Sequence, residues 1–184
     1  IIKYVRMGAS SSFGNMFSVL GASVFVPFLP MRPIQILANN LLYDLGQTAI
    51  PTDAVDAERL QKPRTWQLAE LTRFIVFIGP CSSIFDYTTF FLMLRVFGCA
   101  DVSTPAAAAH SQSLFQTGWF VESLLTQTLI IHIIRTNKIP FFQSRSSAFV
   151  AAMSVGTAAL GLALPFTAAG RYLGFTPLPP LYWA

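Results

Sequence analysis

Residues 74–98 read FIVFIGPCSSIFDYTTFFLMLRVFG, and Asp86 and Arg95 are their only charged side chains. An α-helix needs about 20 mainly apolar residues to cross the roughly 30 Å hydrocarbon core of a bilayer. This stretch is long enough and apolar enough, so it predicts a transmembrane helix. Pro80 lies inside it, and a membrane helix tolerates such a proline where neighbouring groups satisfy the freed carbonyl.

Four further apolar blocks of similar length predict an all-α membrane protein, a bundle of five transmembrane helices. The five blocks cover about 12–30, 33–50, 74–98, 114–134 and 148–168. The composition agrees, since 53% of the 184 residues are hydrophobic and 11% are charged, against about 25% charged residues in soluble domains. The opening residues, Ile1 to Arg6, predict the interior of a longer protein, without a signal peptide.

The basic residues alternate between the connections that join these blocks. Those before the first block or in the segments 51–73 and 135–147 are Lys3, Arg6, Arg59, Lys62, Arg64, Arg73, Arg135, Lys138 and Arg145. Only Arg32 and Arg171 lie in the alternate connections. The positive-inside rule therefore predicts that the N-terminus and both basic segments are cytoplasmic. This accounts for the net charge of +4 without nucleic-acid binding, and anionic lipid could contact the basic segments.

Three acidic residues lie inside the predicted spans: Asp44, Asp86 and Glu122. A carboxylate at the bilayer centre costs at least ~2.5 kcal/mol on insertion scales, and such residues usually face a bundle interior or an ion path. We interpret Asp44 and Glu122 as functional residues. The alternative is a paired or protonated carboxyl that holds helices together, and for Asp86 the sequence favours neither interpretation.

Amide and hydroxyl residues accompany these carboxylates at helical spacing. Asn40 precedes Asp44 by four residues and so shares its helix face, Thr126 follows Glu122 at the same spacing, and Asn15 lies in the first block. The other amide residues near these positions are Asn39, Gln47 and Gln127. Oxygen ligands of this kind suit hard cations such as Mg²⁺ and Ca²⁺. Without paired cysteine or histidine ligands, copper or zinc transport is disfavoured.

Four stretches of the chain together resemble the magnesium-transporting P-type ATPases, from the fifth membrane helix to just before the tenth. They are KYVRMGASSSFGNMFSVLGAS, ILANNLLYDLGQTAIPTDAVD, FIGPCSSIFDYTTF and LFQTGWFVESLLTQTLIIHIIRTNKIPFFQSR. They follow one another in the family's order and cover nearly all of the chain to about Arg145. The last forty residues resemble the family in character more than by motif.

The resemblance implies an ATP-driven pump that imports Mg²⁺ into the cytoplasm across the plasma (inner) membrane, powered by phosphorylation of an aspartate in a cytoplasmic domain. By position in the family's motifs, the ion ligands are Asn40 and Asp44 on the sixth helix, Asn15 on the fifth and Glu122 on the eighth. Calcium pumps carry a glutamate where this chain has Asn15, which favours the magnesium group. That group commonly has Asn where this chain has Ser12, so the sequence departs from the pattern there.

The motifs that hydrolyse ATP do not occur in the chain. It contains no Asp-Lys-Thr-Gly, no Thr-Gly-Glu and no P-loop pattern, so we expect no catalytic or cofactor-binding residues here and no ATP hydrolysis by the chain alone. ATP and its Mg²⁺ would bind cytoplasmic domains outside this chain. The alternatives are a P-type pump for Ca²⁺ or H⁺, or a secondary transporter or channel, whose folds often show inverted repeats that are not evident here.

Overall fold

The computed structural model describes residues 2–53, 68–136 and 146–183. Its α-helices are α1 (Ile2–Phe25), α2 (Pro33–Gln47), α3 (Leu68–Arg95), α4 (Pro105–Ile134), α5 (Ala148–Ala163) and α6 (Ala168–Tyr172). Short 3₁₀ turns cover Ile50–Thr52, Leu164–Phe166 and Pro180–Trp183. The described ranges contain no strand, so the predicted all-α class is confirmed.

Local chemistry sets two helix ends that hydropathy alone misplaces. Helix α4 begins at Pro105, well before the predicted start near residue 114, because the Thr104 side chain accepts a hydrogen bond from the Ala107 N–H at 3.1 Å. A threonine N-cap followed by proline at the first helical position is a strong helix start. Helix α1 ends at Phe25, short of the predicted residue 30, because Pro27 follows and lacks a backbone donor.

Three helical segments of the described chain are long and apolar enough to cross a membrane: Thr72–Arg95, Pro105–Ile134 and Ala148–Phe166. Helix α2 has 15 residues, or roughly 22 Å at 1.5 Å per residue, and is too short to meet that standard. Helix α1 is long but has serine, glycine and asparagine near its middle, which lowers its hydropathy. Transmembrane placement of α1 and α2 therefore stays a prediction, and the residues that weaken the hydropathy include candidate ligands.

Helices α1 and α3 approach each other closely at a pair of glycines. A Cβ atom on Gly14 would lie 2.9 Å from the Gly79 carbonyl oxygen and 2.6 Å from Ser82 Oγ, so only glycine fits there. Ser83 Oγ also donates a hydrogen bond to the Gly14 carbonyl at 3.2 Å. The buried face of α1 repeats a small residue every fourth position: Ser10, Gly14, Ser18 and Ala22. Small residues at this spacing let membrane helices pack with their backbones close together.

Helix α4 is the centre of the bundle and packs against α1, α2, α3 and α5. Its largest buried side chains are Phe115, Trp119, Phe120, Leu124 and Ile131. Phe90 of α3 lies edge-on to Trp119, with ring centroids 4.8 Å apart, a geometry that aromatic pairs prefer. The central position of α4 means that any polar residue on it is enclosed by neighbouring helices.

Helix α2 has its polar and apolar faces reversed relative to a helix on the surface of a soluble protein. Its buried face carries Gln35, Asn39, Tyr43 and Gln47. Its exposed face carries Ile34, Leu37, Leu41 and Leu45. A surface helix in water would point its apolar stripe at the core. The reversed pattern suits a helix whose outer face meets lipid or other membrane helices.

The segment 174–183 runs back along α4 after the short helix α6. Ser113 Oγ donates to the Gly174 carbonyl at 2.6 Å, and Tyr182 Oη donates to the Gly118 carbonyl at 2.8 Å. Burial raises the pKa of the Tyr182 phenol above its usual value, so the hydroxyl keeps its proton and remains a donor at neutral pH. These contacts fix the C-terminal segment to the end of the bundle that contains the α3–α4 connection.

The two cysteines are free thiols in very different settings, since Cys81 is exposed and Cys99 is fully buried. Burial raises the pKa of Cys99 to about 11, and the thiolate is the reactive form. In a Cys81→Ser variant we expect Cys99 to react with a maleimide at pH 7.5 at least ~100-fold more slowly than an exposed thiol. The exposed control is Ser103→Cys in the variant Cys81→Ser/Cys99→Ser. If the control thiol and Cys99 react at equal rates in detergent, Cys99 is not buried.

Candidate ion site

Four polar side chains from three helices meet inside the bundle, and we call Asn15, Asn39, Ser123 and Gln127 the amide cluster. Gln127 Nε2 on α4 donates to Asn15 Oδ1 on α1 at 2.8 Å and to Ser123 Oγ at 2.9 Å. Asn39 Nδ2 on α2 donates to the same Ser123 hydroxyl at 3.3 Å. The i, i+4 spacing of Ser123 and Gln127 places them on one face of α4, where they join the other two helices.

The amide cluster leaves two carbonyl oxygens without a protein partner. Asn39 is 3% and Gln127 is 4% exposed, and in the described part of the chain neither Asn39 Oδ1 nor Gln127 Oε1 accepts a hydrogen bond. A buried polar group left unpaired costs about 1–3 kcal/mol, and native structures usually satisfy it with water or an ion. Amide carbonyl oxygens are ligands for hard cations, so the cluster has the chemistry of a cation or water site.

A small pocket adjoins the amide cluster between α1, α2, α3 and α4. Its polar lining consists of Ser10, Ser11, Asn15, Tyr43, Ser82 and Gln127. These side chains offer hydroxyl and amide oxygens but no carboxylate. Across the described ranges, no group of three His, Cys, Asp or Glu residues could hold a metal ion. A cation in this region would therefore use neutral oxygens, with negative charge from a carboxylate at a distance.

The structure separates the polar residues that the sequence groups on α2. Asp44 lies on the exposed side and Asn40 is half-buried, whereas Asn39 and Gln47 are buried. With 3.6 residues per turn, Asn39 lies about 140° round the helix from Asp44, so these two residues lie on different sides of α2. Asn40 lies between these two residues round the helix, closer to Asp44.

The Asp44 carboxylate lies on the exposed side of α2, beside the exposed Leu41 and Leu45. Within the ranges that the structure describes, no side chain donates to it. A charged group at membrane depth almost always faces a protein interior, a cavity or a counter-ion. The predicted transmembrane placement of α2 therefore predicts a partner for the carboxylate on this side, and a cation is one.

Glu122 belongs to a second polar group, which we call the carboxyl cluster: Ser18, Asp86, Trp119 and Glu122. Thr126 Oγ1 donates to Glu122 Oε1 at 2.6 Å, as the four-residue spacing predicts. Asp86 accepts hydrogen bonds from Ser18 and Trp119, and Glu122 follows Trp119 by three residues, about one turn further along α4. The residue of α4 that contacts Asn15 is instead Gln127, which the sequence analysis placed nearby without assigning it as a ligand.

These features define an α-helical membrane protein with buried clusters of oxygen-bearing side chains between its helices. The family described as "Cation transporting ATPase, C-terminus" matches residues 28–184, and the chain belongs to this family. Two relatives named magnesium-transporting ATPase, P-type 1, from Salmonella typhimurium (strain LT2) and Escherichia coli (strain K12), are each 52% identical over 183 residues. The matches cover 100% of this chain and 20% of each relative.

A further S. typhimurium protein of the same name is 50% identical over 183 residues, or 19% of its length. The chain thus spans about a fifth of the length of the curated relatives it matches. The resemblance to magnesium-transporting P-type ATPases is confirmed along the whole chain, including the last forty residues, where the motifs alone are weak.

Proposed function

We propose that this chain is the ion-pathway half of a full-length P-type pump that uses ATP to import Mg²⁺ across the plasma membrane. The observation that supports this best is the amide cluster, which joins α1, α2 and α4 and leaves two buried carbonyl oxygens free. The relatives' names support Mg²⁺ as the ion. The pump is a translocase whose ATP and phosphorylated aspartate belong to parts of the protein beyond this chain.

Asp44 supplies the principal negative charge of the proposed site, and Asn40 and Asn15 supply amide oxygens. Further membrane helices of the full-length pump cover the exposed side of α2, so the ion lies between them and the side of α2 that carries Asp44. Mg²⁺ dehydrates reluctantly and keeps several waters, so amide oxygens can bind either the ion or its water shell. Gln127 joins this set through Asn15. Glu122 remains a ligand candidate because its Oε2 atom is buried without a partner in the described chain.

The orientation of the bundle follows from the basic residues. The N-terminus and the segments 51–73 and 135–147 face the cytoplasm, in contact with the bilayer and with anionic lipid where it is present. Most of these basic side chains, from Arg59 to Arg64 and from Lys138 to Arg145, lie outside the described residues. The two short connections at the other end of the bundle, which contain Arg32 and Asp101, then face away from the cytoplasm.

Transport by the full-length protein in sealed vesicles tests the function directly. We expect ATP-dependent accumulation of Mg²⁺, followed with a Mg²⁺-sensitive dye, and formation of an aspartyl phosphate during turnover. Uptake of Ca²⁺ in preference to Mg²⁺, or ATP-driven proton movement without Mg²⁺, would favour the other P-type pumps. Flux that persists without ATP would favour a secondary transporter or channel.

Gln127→Leu is expected to raise the Mg²⁺ concentration for half-maximal ATPase activity about tenfold, since 1.4 kcal/mol corresponds to that factor. The variant removes the donor to Asn15 and the free Oε1 oxygen while keeping the side-chain size. Thr128→Val is the matched control, because the Thr128 hydroxyl donates only to the Leu124 carbonyl of its own helix. Equal shifts in the two variants would show that Gln127 has no special role.

A further inference from the structure

We propose that Asp86 is a positioning residue for the ion site, which ties α1 to α4 and so holds Asn15 against Gln127. The inference rests on the proposed function, because it concerns the affinity of that same site for Mg²⁺. It gives a role to the intramembrane carboxylate for which the sequence favoured no interpretation.

Asp86 joins three helices through its two oxygen atoms. It lies on α3 and is 5% exposed. Its Oδ2 atom accepts a hydrogen bond from Ser18 Oγ on α1 at 2.5 Å, and its Oδ1 atom accepts one from Trp119 Nε1 on α4 at 2.7 Å. Hydrogen bonds to a carboxyl group are short and roughly twice as strong as neutral ones when the group is ionised. Because each oxygen holds a different helix, one side chain fixes α1 and α4 relative to each other.

These two hydrogen bonds lie close to the amide cluster along both helices. Ser18 follows Asn15 by three residues, about one turn of α1, and Trp119 precedes Gln127 by eight residues, about two turns of α4. The described side-chain hydrogen bonds that link α1 to α4 include the direct contact of Asn15 with Gln127 and the route through Asp86. Loss of the route through Asp86 therefore weakens the hold that keeps Asn15 and Gln127 in register.

The remaining packing of α1 does not replace this connection. Helix α1 packs mainly on α3 and has few contacts with α4. The glycine contact between Gly14 and Gly79 and the Ser83 hydrogen bond fix α1 to α3 only. Asp86 is thus placed to convert the α1–α3 pair into a unit that also holds α4.

Both oxygens of Asp86 are occupied by buried protein donors, since Ser18 is fully buried and Trp119 nearly so. Such an arrangement suits a group that orients other residues better than one that binds the ion itself. Misplacing groups at a site by about 1 Å can cost as much as 100-fold in rate, and here the displaced groups, Asn15 and Gln127, belong to the proposed ion site. We therefore expect the loss of Asp86 to lower the apparent affinity for Mg²⁺ more than it lowers the maximal rate.

The test uses the full-length pump with Asp86→Leu, which keeps the side-chain size and removes both acceptors. We expect the Mg²⁺ concentration for half-maximal ATPase activity to rise about tenfold, with the maximal rate changed by less than about twofold. Asp86→Asn should restore the affinity to within about threefold of wild type, because its Oδ1 can accept from Trp119 and its Nδ2 can donate to Ser18 Oγ. Ser83→Ala, which weakens only the α1–α3 contact, is the control and should leave the affinity unchanged.

A double-mutant cycle separates positioning from a general structural role. If Asp86 acts through Asn15 and Gln127, Asp86→Leu should add less than about twofold in the Gln127→Leu background, because the two changes remove one coupled interaction. A full additional tenfold shift, or the same shift from Ser83→Ala, would overturn the role of Asp86 while leaving the ion site intact. No effect of Gln127→Leu by itself would instead overturn the proposed site, and this inference with it.

Trp119→Phe provides a second route if Asp86→Leu does not fold. It keeps an aromatic ring at this position and removes only the Nε1 donor to Asp86, so a smaller rise in the same direction is expected. The Glu122→Gln background controls for the neighbouring carboxyl group. If Asp86→Leu still raises the Mg²⁺ concentration for half-maximal activity in the Glu122→Gln background, the route through Asn15 is supported. If the rise disappears in that background but not in the others, Asp86 acts through Glu122 and the inference is overturned.

Discussion

Replacing Asp44 by asparagine is expected to abolish Mg²⁺ transport by the full-length pump while leaving its fold intact. Asparagine has the same size and retains one oxygen, so the change removes essentially only the negative charge. The carboxylate is exposed on α2 and has no hydrogen-bond donor among the described residues, so no described contact is lost. In a medium of low dielectric constant, one charge decides whether a divalent cation binds at all. We expect uptake to fall at least ~100-fold, or ~2.8 kcal/mol at 1.4 kcal/mol per factor of ten.

The measurement combines vesicle uptake with size-exclusion chromatography of the detergent-solubilised pump. Asp101→Asn is the matched control, since it removes the same charge at an exposed position in the α3–α4 connection. The Ser103 backbone N–H holds the pKa of Asp101 below its usual value, so this control carboxylate is ionised at neutral pH. Wild-type uptake by the Asp44→Asn variant would show that Asp44 is not part of the ion site.

Asp53→Ala is expected to destabilise the bundle by about 3–5 kcal/mol, which is the usual cost of removing one partner of a buried ion pair. Arg135 Nη1 donates to Asp53 Oδ2 at 3.0 Å, and both side chains are 2% exposed. The Ser147 N–H donates to Asp53 Oδ1, also at 3.0 Å. Asp53 therefore connects the end of α2 with the end of α4 and the start of α5. Its loss removes the Asp53 carboxylate from beside a buried guanidinium.

Thermal unfolding in detergent measures this effect. Asp101→Ala should change stability by no more than about 0.5 kcal/mol, as is usual for exposed positions. The double variant Asp53→Leu/Arg135→Met should recover much of the loss, because apolar residues of similar volume can replace a buried ion pair. A midpoint for Asp53→Ala equal to that of the control would mean that the ion pair contributes nothing to stability.

The sequence predicts relations within one helix well. The spacing of Glu122 and Thr126 predicted a contact that forms at 2.6 Å, and the apolar blocks correspond to the main helices. Such predictions succeed because 3.6 residues per turn determine which side chains are neighbours on a single helix. The early start of α4 was missed because the decisive signal at Thr104 is a hydrogen bond, to which a hydropathy average is insensitive.

Relations between helices could not be predicted in the same way. Gln127 contacts Asn15, and Asp86 bonds Ser18 and Trp119, because α1, α3 and α4 pack in one register, which is set by side chains far apart in sequence. A helical period shows that Ser123 and Gln127 share a face, but it does not show which helix that face meets. The burial of the polar face of α2 could not be predicted from the sequence for a related reason. A polar stripe alone does not indicate whether water or protein lies beside it.

The close approach of Gly14 and Gly79 has a mechanical consequence. Neither glycine contributes a side chain at this point, so the two backbones already lie close together and cannot approach further. A displacement of the N-terminal part of α1 would therefore move α3 with it, because the two helices are in close backbone contact. Even an alanine at Gly14 would push the two helices apart, so that a displacement of α1 would move α3 less.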